Sequence, residues 1–164
     1  IKDELEQQSQ AVDLVNLGVL GATIDVIEVE VQDLISTKLQ PELITIWSGS
    51  NDVIAGNNPD DFETVLESIL LQLSEETSAL IVIANIPDLT ELPHFVDNPN
   101  SEVTLERIKA FNSSIELQAS MFGIPVVDLF SEEITENLVS SDWFHPSNEG
   151  HVRIAELFIE IILP

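Results

Sequence analysis

Short apolar runs, separated by longer amphipathic stretches, constrain this chain most. Leu43–Trp47 (LITIW), residues 79–84 (ALIVIA) and residues 124–129 (IPVVDL) are each continuous, without the alternation of a half-exposed strand. Such runs are what strands covered on both faces look like. A fourth run, VDLVN at 12–16, reads as a short strand ahead of a turn containing Gly18 and Gly21. Between the runs, the apolar spacing predicts helices over 25–39, from Pro59-Asp60-Asp61 onward, over 101–121 and over 148–162. Pro41 stops the first of these, acidic residues suit the first turn of the second, and Ser147 is placed to cap the last. Residues 1–10 read as the tail of a helix. Strand–helix alternation of this kind predicts an α/β fold: a three-layer α/β/α sandwich around a parallel sheet.

In such sheets a ligand sits beyond the C-terminal strand ends. The loops there are 17–24, 48–58, 85–100 and 129–147, and the residues able to do chemistry lie in them. The chain, at 164 residues and 44% hydrophobic, suits one domain, residues 1–164. It has no cysteine, which rules out disulfides and thiolate chemistry and fits a secreted or a cytoplasmic bacterial protein equally. Thirty acidic residues against five basic ones give a net charge of −25. A nucleic-acid binder needs cations to neutralise phosphates, so that role is excluded. No apolar run approaches membrane-spanning length. Nothing in the sequence sets an oligomeric state.

The segment DWFHPSNEGH, residues 142–151, holds the most pointed chemistry. A neutral imidazole removes a proton from a hydroxyl when its other nitrogen is held by an acceptor. Asp142, three residues before His145, can be that acceptor if the loop turns back. On spacing alone the pair reads equally as a surface histidine beside a turn-forming aspartate. In NLGVLGAT (16–23), a glycine after a strand can present backbone N–H groups to an anion, or simply turn the chain. In SGSND (48–52), Asn51 can donate into a site at a strand end, or make a turn with Asp52 as a cap. Trp143 and Phe144 are expected to anchor the 142–151 loop, with substrate stacking as the alternative, His151 to be structural, and His94 to be a solvated loop residue or else a substrate contact. Leu92, Phe95 and Val96 offer an apolar surface for an acyl chain or a lid, or pack beneath their own loop.

Together these segments resemble the SGNH hydrolases, the GDSL-type esterases and lipases. NLGVLGAT resembles the family's second block, with Gly21 at the oxyanion glycine. GSND resembles the third, with Asn51 at the oxyanion asparagine. DWFHPSNEGH resembles the fifth, with Asp142 and His145 at the triad acid and base. The stretch ANIPDLTELP is similar to a segment of some bacterial members. The resemblance implies a flavodoxin-like SGNH hydrolase fold and a serine ester hydrolase, without metal or cofactor, acting on a small-molecule, lipid or carbohydrate ester.

One block is absent. The family's Gly-Asp-Ser, which carries the nucleophile after the first strand, belongs upstream of the helix ending near Gln10. The fold's first strand is therefore expected to be missing from this chain and the domain to be N-terminally incomplete. No G-x-S-x-G elbow replaces it. Ser48 and Ser50 share the turn that presents Asn51, Ser147 serves as a cap, and Ser9 precedes the first strand. A relative that has lost its serine and only binds a carbohydrate or other ligand is the alternative. An unrelated flavodoxin-like domain using the 18–23 turn for phosphate is a third class, opposed by the lack of Lys or Arg near that turn.

Overall fold

The computed structural model describes residues 1–8 and 11–163. The expected helix end near Gln10, and Ser9, lie outside them. The elements run α1 (Lys2–Gln8), α2 (Ile24–Ser36), β1 (Leu43–Trp47), α3 (Ser50–Ala55), α4 (Pro59–Glu76), β2 (Leu80–Ala84), α5 (Pro93–Asp97), α6 (Leu105–Phe122), β3 (Val126–Val127) and α7 (Asn148–Ile162). The strands pair in parallel in the order β1-β2-β3. Leu43 lies opposite Leu80 and Trp47 opposite Ala84, while Ile83 and Ala84 face Val126 and Val127. A parallel α/β sandwich is thus what the apolar runs form.

The central strand shows why its run does not alternate. Ile81 and Ile83 pack into one core with Val31 of α2, Leu66, Ile69, Leu70 and Leu73 of α4, and Ile108, Phe111 and Ile115 of α6. Val82 and Ala84 pack into a second core with Val127, Leu129 and Phe158 of α7, flanked by Ile154 and Leu157. Successive side chains point to opposite faces of a strand, and both faces of β2 are covered by helices.

Local chemistry sets the helix ends. The Asn58 side chain accepts from the Asp60 N–H (2.8 Å) just ahead of Pro59 at the first turn of α4. Thr104 caps α6, which ends at Gly123 in the left-handed region. The Ser147 hydroxyl accepts from the Gly150 N–H (3.0 Å), the cap expected for α7.

The strand expected at 12–16 is not formed. Residues 11–18 have no regular structure, with Leu14 68% and Val15 56% exposed. A strand is stable only when its N–H and C=O groups find a neighbouring strand, whatever its propensity. Among the described residues, β1 pairs on one side alone, leaving its outer edge without a strand partner. The other boundaries shift modestly. The helix expected at 25–39 ends at Ser36, where Lys38 adopts φ 59°, and the strand expected at 124–129 narrows to Val126–Val127.

Candidate active site

Beyond the C-terminal ends of the strands lies an open cavity of about 360 Å³. Ser48, Ser50, Asn51, His145 and His151 are among its polar lining residues; Ile27, Trp47, Leu129, Ile154 and Leu157 are among its apolar ones. Of the second set, Ile27 comes from α2, Trp47 from the end of β1, Leu129 from the segment after β3, and Ile154 and Leu157 from α7.

His145 and Asp142 are brought together. His145 Nδ1 is 2.7 Å from Asp142 Oδ2. Asp142 Oδ1 accepts from the backbone N–H groups of Phe144 (3.0 Å) and His145 (2.9 Å), and from the Ser140 hydroxyl (2.6 Å). The loop can fold back this sharply because Trp143 takes a left-handed conformation, φ 62°. The Ser140 hydroxyl, the His145 ring and the two backbone N–H groups together hold the Asp142 carboxyl well below the usual carboxylate range. Both side chains are about half exposed, 52% for Asp142 and 51% for His145.

The loop is tied to its surroundings at three places. The Trp143 carbonyl accepts from the His94 N–H (3.1 Å) at the start of α5. The Phe144 ring contacts His94 (5.7 Å between centroids), Phe95 (5.6 Å) and His145 (4.6 Å). Val139 bridges to Pro146 as an isolated antiparallel pair. Phe144 therefore anchors the loop by its side chain, whereas Trp143 does so only through its backbone, its indole being exposed. Phe95 packs beneath its own loop, Leu92 is buried there and also lines the cavity, Val96 faces solvent, and His94 is exposed. His151 was expected to be structural but is exposed on the cavity wall, because the first turn of α7 turns that side toward the site.

Asn51 sits in the first turn of α3, and its Nδ2 donates to the Ala22 carbonyl (2.9 Å). An amide nitrogen carries two donors, so one remains. Gly21 lies in the turn before α2 with φ 74° and is exposed; Gly18, Val19 and Ala22 line the cavity, and Gly21 does not. Gly49, the residue before α3, has φ 105°, and a Cβ there would collide with the Ile86 side chain. That close approach is what lets β1 turn straight into α3 and set Asn51 at the strand end. The Ser48 hydroxyl, on the cavity wall, has no hydrogen-bond partner among the described residues.

The sequence shows no sign of Ser140's role, and it names Asp52 as a cap without saying of which element. Ser140 precedes Asp142 by two residues, a spacing with no functional signature. Asp52 is fully buried, accepting from the Ile24 N–H (3.0 Å) and Asn57 Nδ2 (2.9 Å). Burial pushes its carboxyl up against the pull of those bonds. Thr23 makes no side-chain cap, so Asp52 caps α2 from across the fold. Asn51 and Asp52 thereby hold the 22–24 backbone at two neighbouring points.

The family model described as GDSL-like Lipase/Acylhydrolase matches residues 1–158. Among solved structures, an acetyl xylan esterase, AlAXEase, superposes with a TM-score of 0.77 at 17% identity, covering 99% of this chain and 88% of that one. A lipase/acylhydrolase from Enterococcus faecalis gives 0.77 at 20% identity, covering 98% and 81%. The psychrotrophic esterase EstA from Pseudoalteromonas sp., solved with monoethylphosphonate as inhibitor, gives 0.76 at 19% identity, covering 98% and 81%. No curated protein matches the chain.

Proposed function

The chain belongs to the GDSL-like lipase/acylhydrolase family, and on that premise we propose that it forms most of a serine ester hydrolase whose nucleophile lies upstream of Ile1. The observation that carries this reading is the Asp142–His145 contact of 2.7 Å at the rim of a cavity that Asn51 shares. No Gly-Asp-Ser block occurs in the 164 residues. Among the described residues, the edge of β1 without a strand partner and the Ser48 hydroxyl without a hydrogen-bond partner both favour an extended segment entering there with the serine.

The serine hydroxyl attacks the acyl carbonyl while the Nε2 atom of His145 takes its proton. Asp142 Oδ2 fixes the ring through Nδ1 and stabilises the imidazolium that results. The Gly21 N–H and the remaining Asn51 Nδ2 donor hold the oxyanion, after a rearrangement that brings Gly21 to the cavity. His145 then gives the proton to the departing alcohol. A water, deprotonated by His145, cleaves the acyl-enzyme and restores the serine. A positioned base of this type contributes about 10²–10⁴-fold, and one oxyanion donor about 10²–10³-fold.

In the full-length protein, His145→Ala should reduce hydrolysis of p-nitrophenyl acetate to background. Retained hydrolysis would remove His145 from the mechanism. An upstream coding sequence without Gly-Asp-Ser after an apolar strand would favour the non-catalytic ligand-binding alternative.

A further inference from the structure

We propose that Ser140 is a positioning residue for the Asp142–His145 pair, dividing the Asp142 carboxylate so that one oxygen is anchored and the other is reserved for the imidazole. The proposal rests on the ester-hydrolase reading above. Oδ1 takes three donors: the Ser140 hydroxyl at 2.6 Å and the N–H groups of Phe144 and His145. Oδ2 is left facing His145 Nδ1 at 2.7 Å.

An aspartate that orients a histidine is usually held by burial. Here the carboxylate is half exposed, so water competes for it and burial cannot fix its torsion. The terminal torsion of an aspartate is broad and nearly two-fold, so local bonds must choose its setting. Two of the three donors on Oδ1 are backbone groups carried by the turn itself. Ser140 supplies the one side-chain donor, and it approaches from outside the 142–145 turn. Its backbone closes the same loop: the Ser140 N–H donates to the His145 carbonyl (2.8 Å), and its carbonyl accepts from the Trp143 N–H (3.0 Å). Replacing the side chain by alanine leaves those two bonds in place and removes only the hydroxyl. Without it, Asp142 rotates part of the time toward water, and His145 loses the acceptor that sets its tautomer. Substrate binding is untouched, because Ser140 does not line the cavity.

The test compares variants of the full-length protein on p-nitrophenyl acetate. Ser140→Ala should lower kcat about tenfold, the scale of one hydrogen bond to a charged group, with KM and Tm little changed. Ser140→Thr, which keeps the hydroxyl, should recover most of the rate. In an Asp142→Ala background, adding Ser140→Ala should cost nothing further, since the hydroxyl would have no carboxylate to hold. Should Ser140→Ala not fold, Ser140→Cys keeps the size, weakens the donor and answers the same question. An inactive His145→Ala beside a fully active Ser140→Ala would overturn this inference alone. So would an equal loss from Ser140→Ala with and without Asp142, which would mean that Ser140 acts on the fold. An active His145→Ala would instead sink the underlying enzymatic reading, whatever Ser140 does.

Discussion

The Asp142–His145 pair is solvent-exposed, so its geometry is a matter of short-range bonds. Asp142→Asn should keep the loop's shape while presenting an N–H where His145 needs an acceptor. On the proposed mechanism, the full-length protein should then lose on the order of 10³-fold or more in kcat, read in steady-state hydrolysis. The charge state has a defined pH window. Bonds from Ser140, His145 and the turn backbone favour the ionised carboxyl, so its folded pKa lies below the unfolded value of about 3.9. Stability from those bonds is therefore complete above that value and is lost as pH falls through the lower folded pKa. A ¹³C titration should place protonation of the Asp142 carboxyl below the ordinary aspartate value of about 3.9; carboxyl protonation at or above that value would contradict the assigned bonds. This part of the site was legible in the sequence because its members are three residues apart on one turn. Ser140 was not, since a serine two residues before an aspartate has many uses and only the observed torsions aim it at Oδ1.

Helix α7 carries the end of that loop, and its docking depends on one small residue. A Cβ on Gly150 would run into the Leu138 carbonyl, against which the first turn of α7 is seated. The Ser147 hydroxyl donates to the Asn137 carbonyl (2.6 Å), and the Ser147 N–H donates to the Leu138 carbonyl (2.9 Å), stitching the same segments together. Gly150→Ala should therefore destabilise the protein by roughly 1–3 kcal/mol through forced displacement of backbone. Ser147→Ala should cost about 1 kcal/mol by losing a cap. Both are measured by chemical denaturation, and a neutral Gly150→Ala would show that α7 can pivot freely. The helices and the two longer strands were legible because period, caps and turn residues act locally. Residues 12–16 failed as a strand because pairing is not a local property, and Leu14 and Val15 have nothing to pair or pack against among the described residues.

At the scale of the whole molecule, a net charge of −25 on 164 residues opposes compaction. Raising NaCl from about 0.05 M to about 1 M shortens the screening length to about 3 Å and should raise Tm by several degrees. A flat salt response would mean that the carboxylates are already spaced or paired well enough. We further propose that the 164-residue chain by itself melts early and with weak cooperativity, because among the described residues the outer edge of β1 is unpaired and Leu20 (89% exposed) and Trp47 (38%) are left open. A stable, sharply melting monomer would overturn that. The sequence by itself determined the parallel sandwich and the placing of chemistry at its strand ends, because continuous apolar runs are tolerated only where both faces are covered. It offered the Asp142–His145 pairing as one of two equal readings, and the folded turn decided for the contact. Tertiary structure alone decided that Asn51 binds Ala22 across 29 residues, that Asp52 caps α2, that Phe144 packs on Phe95, and that residues 12–16 stay irregular. Each of these depends on groups far apart in the chain meeting, and local propensity carries no record of which distant partner will be there.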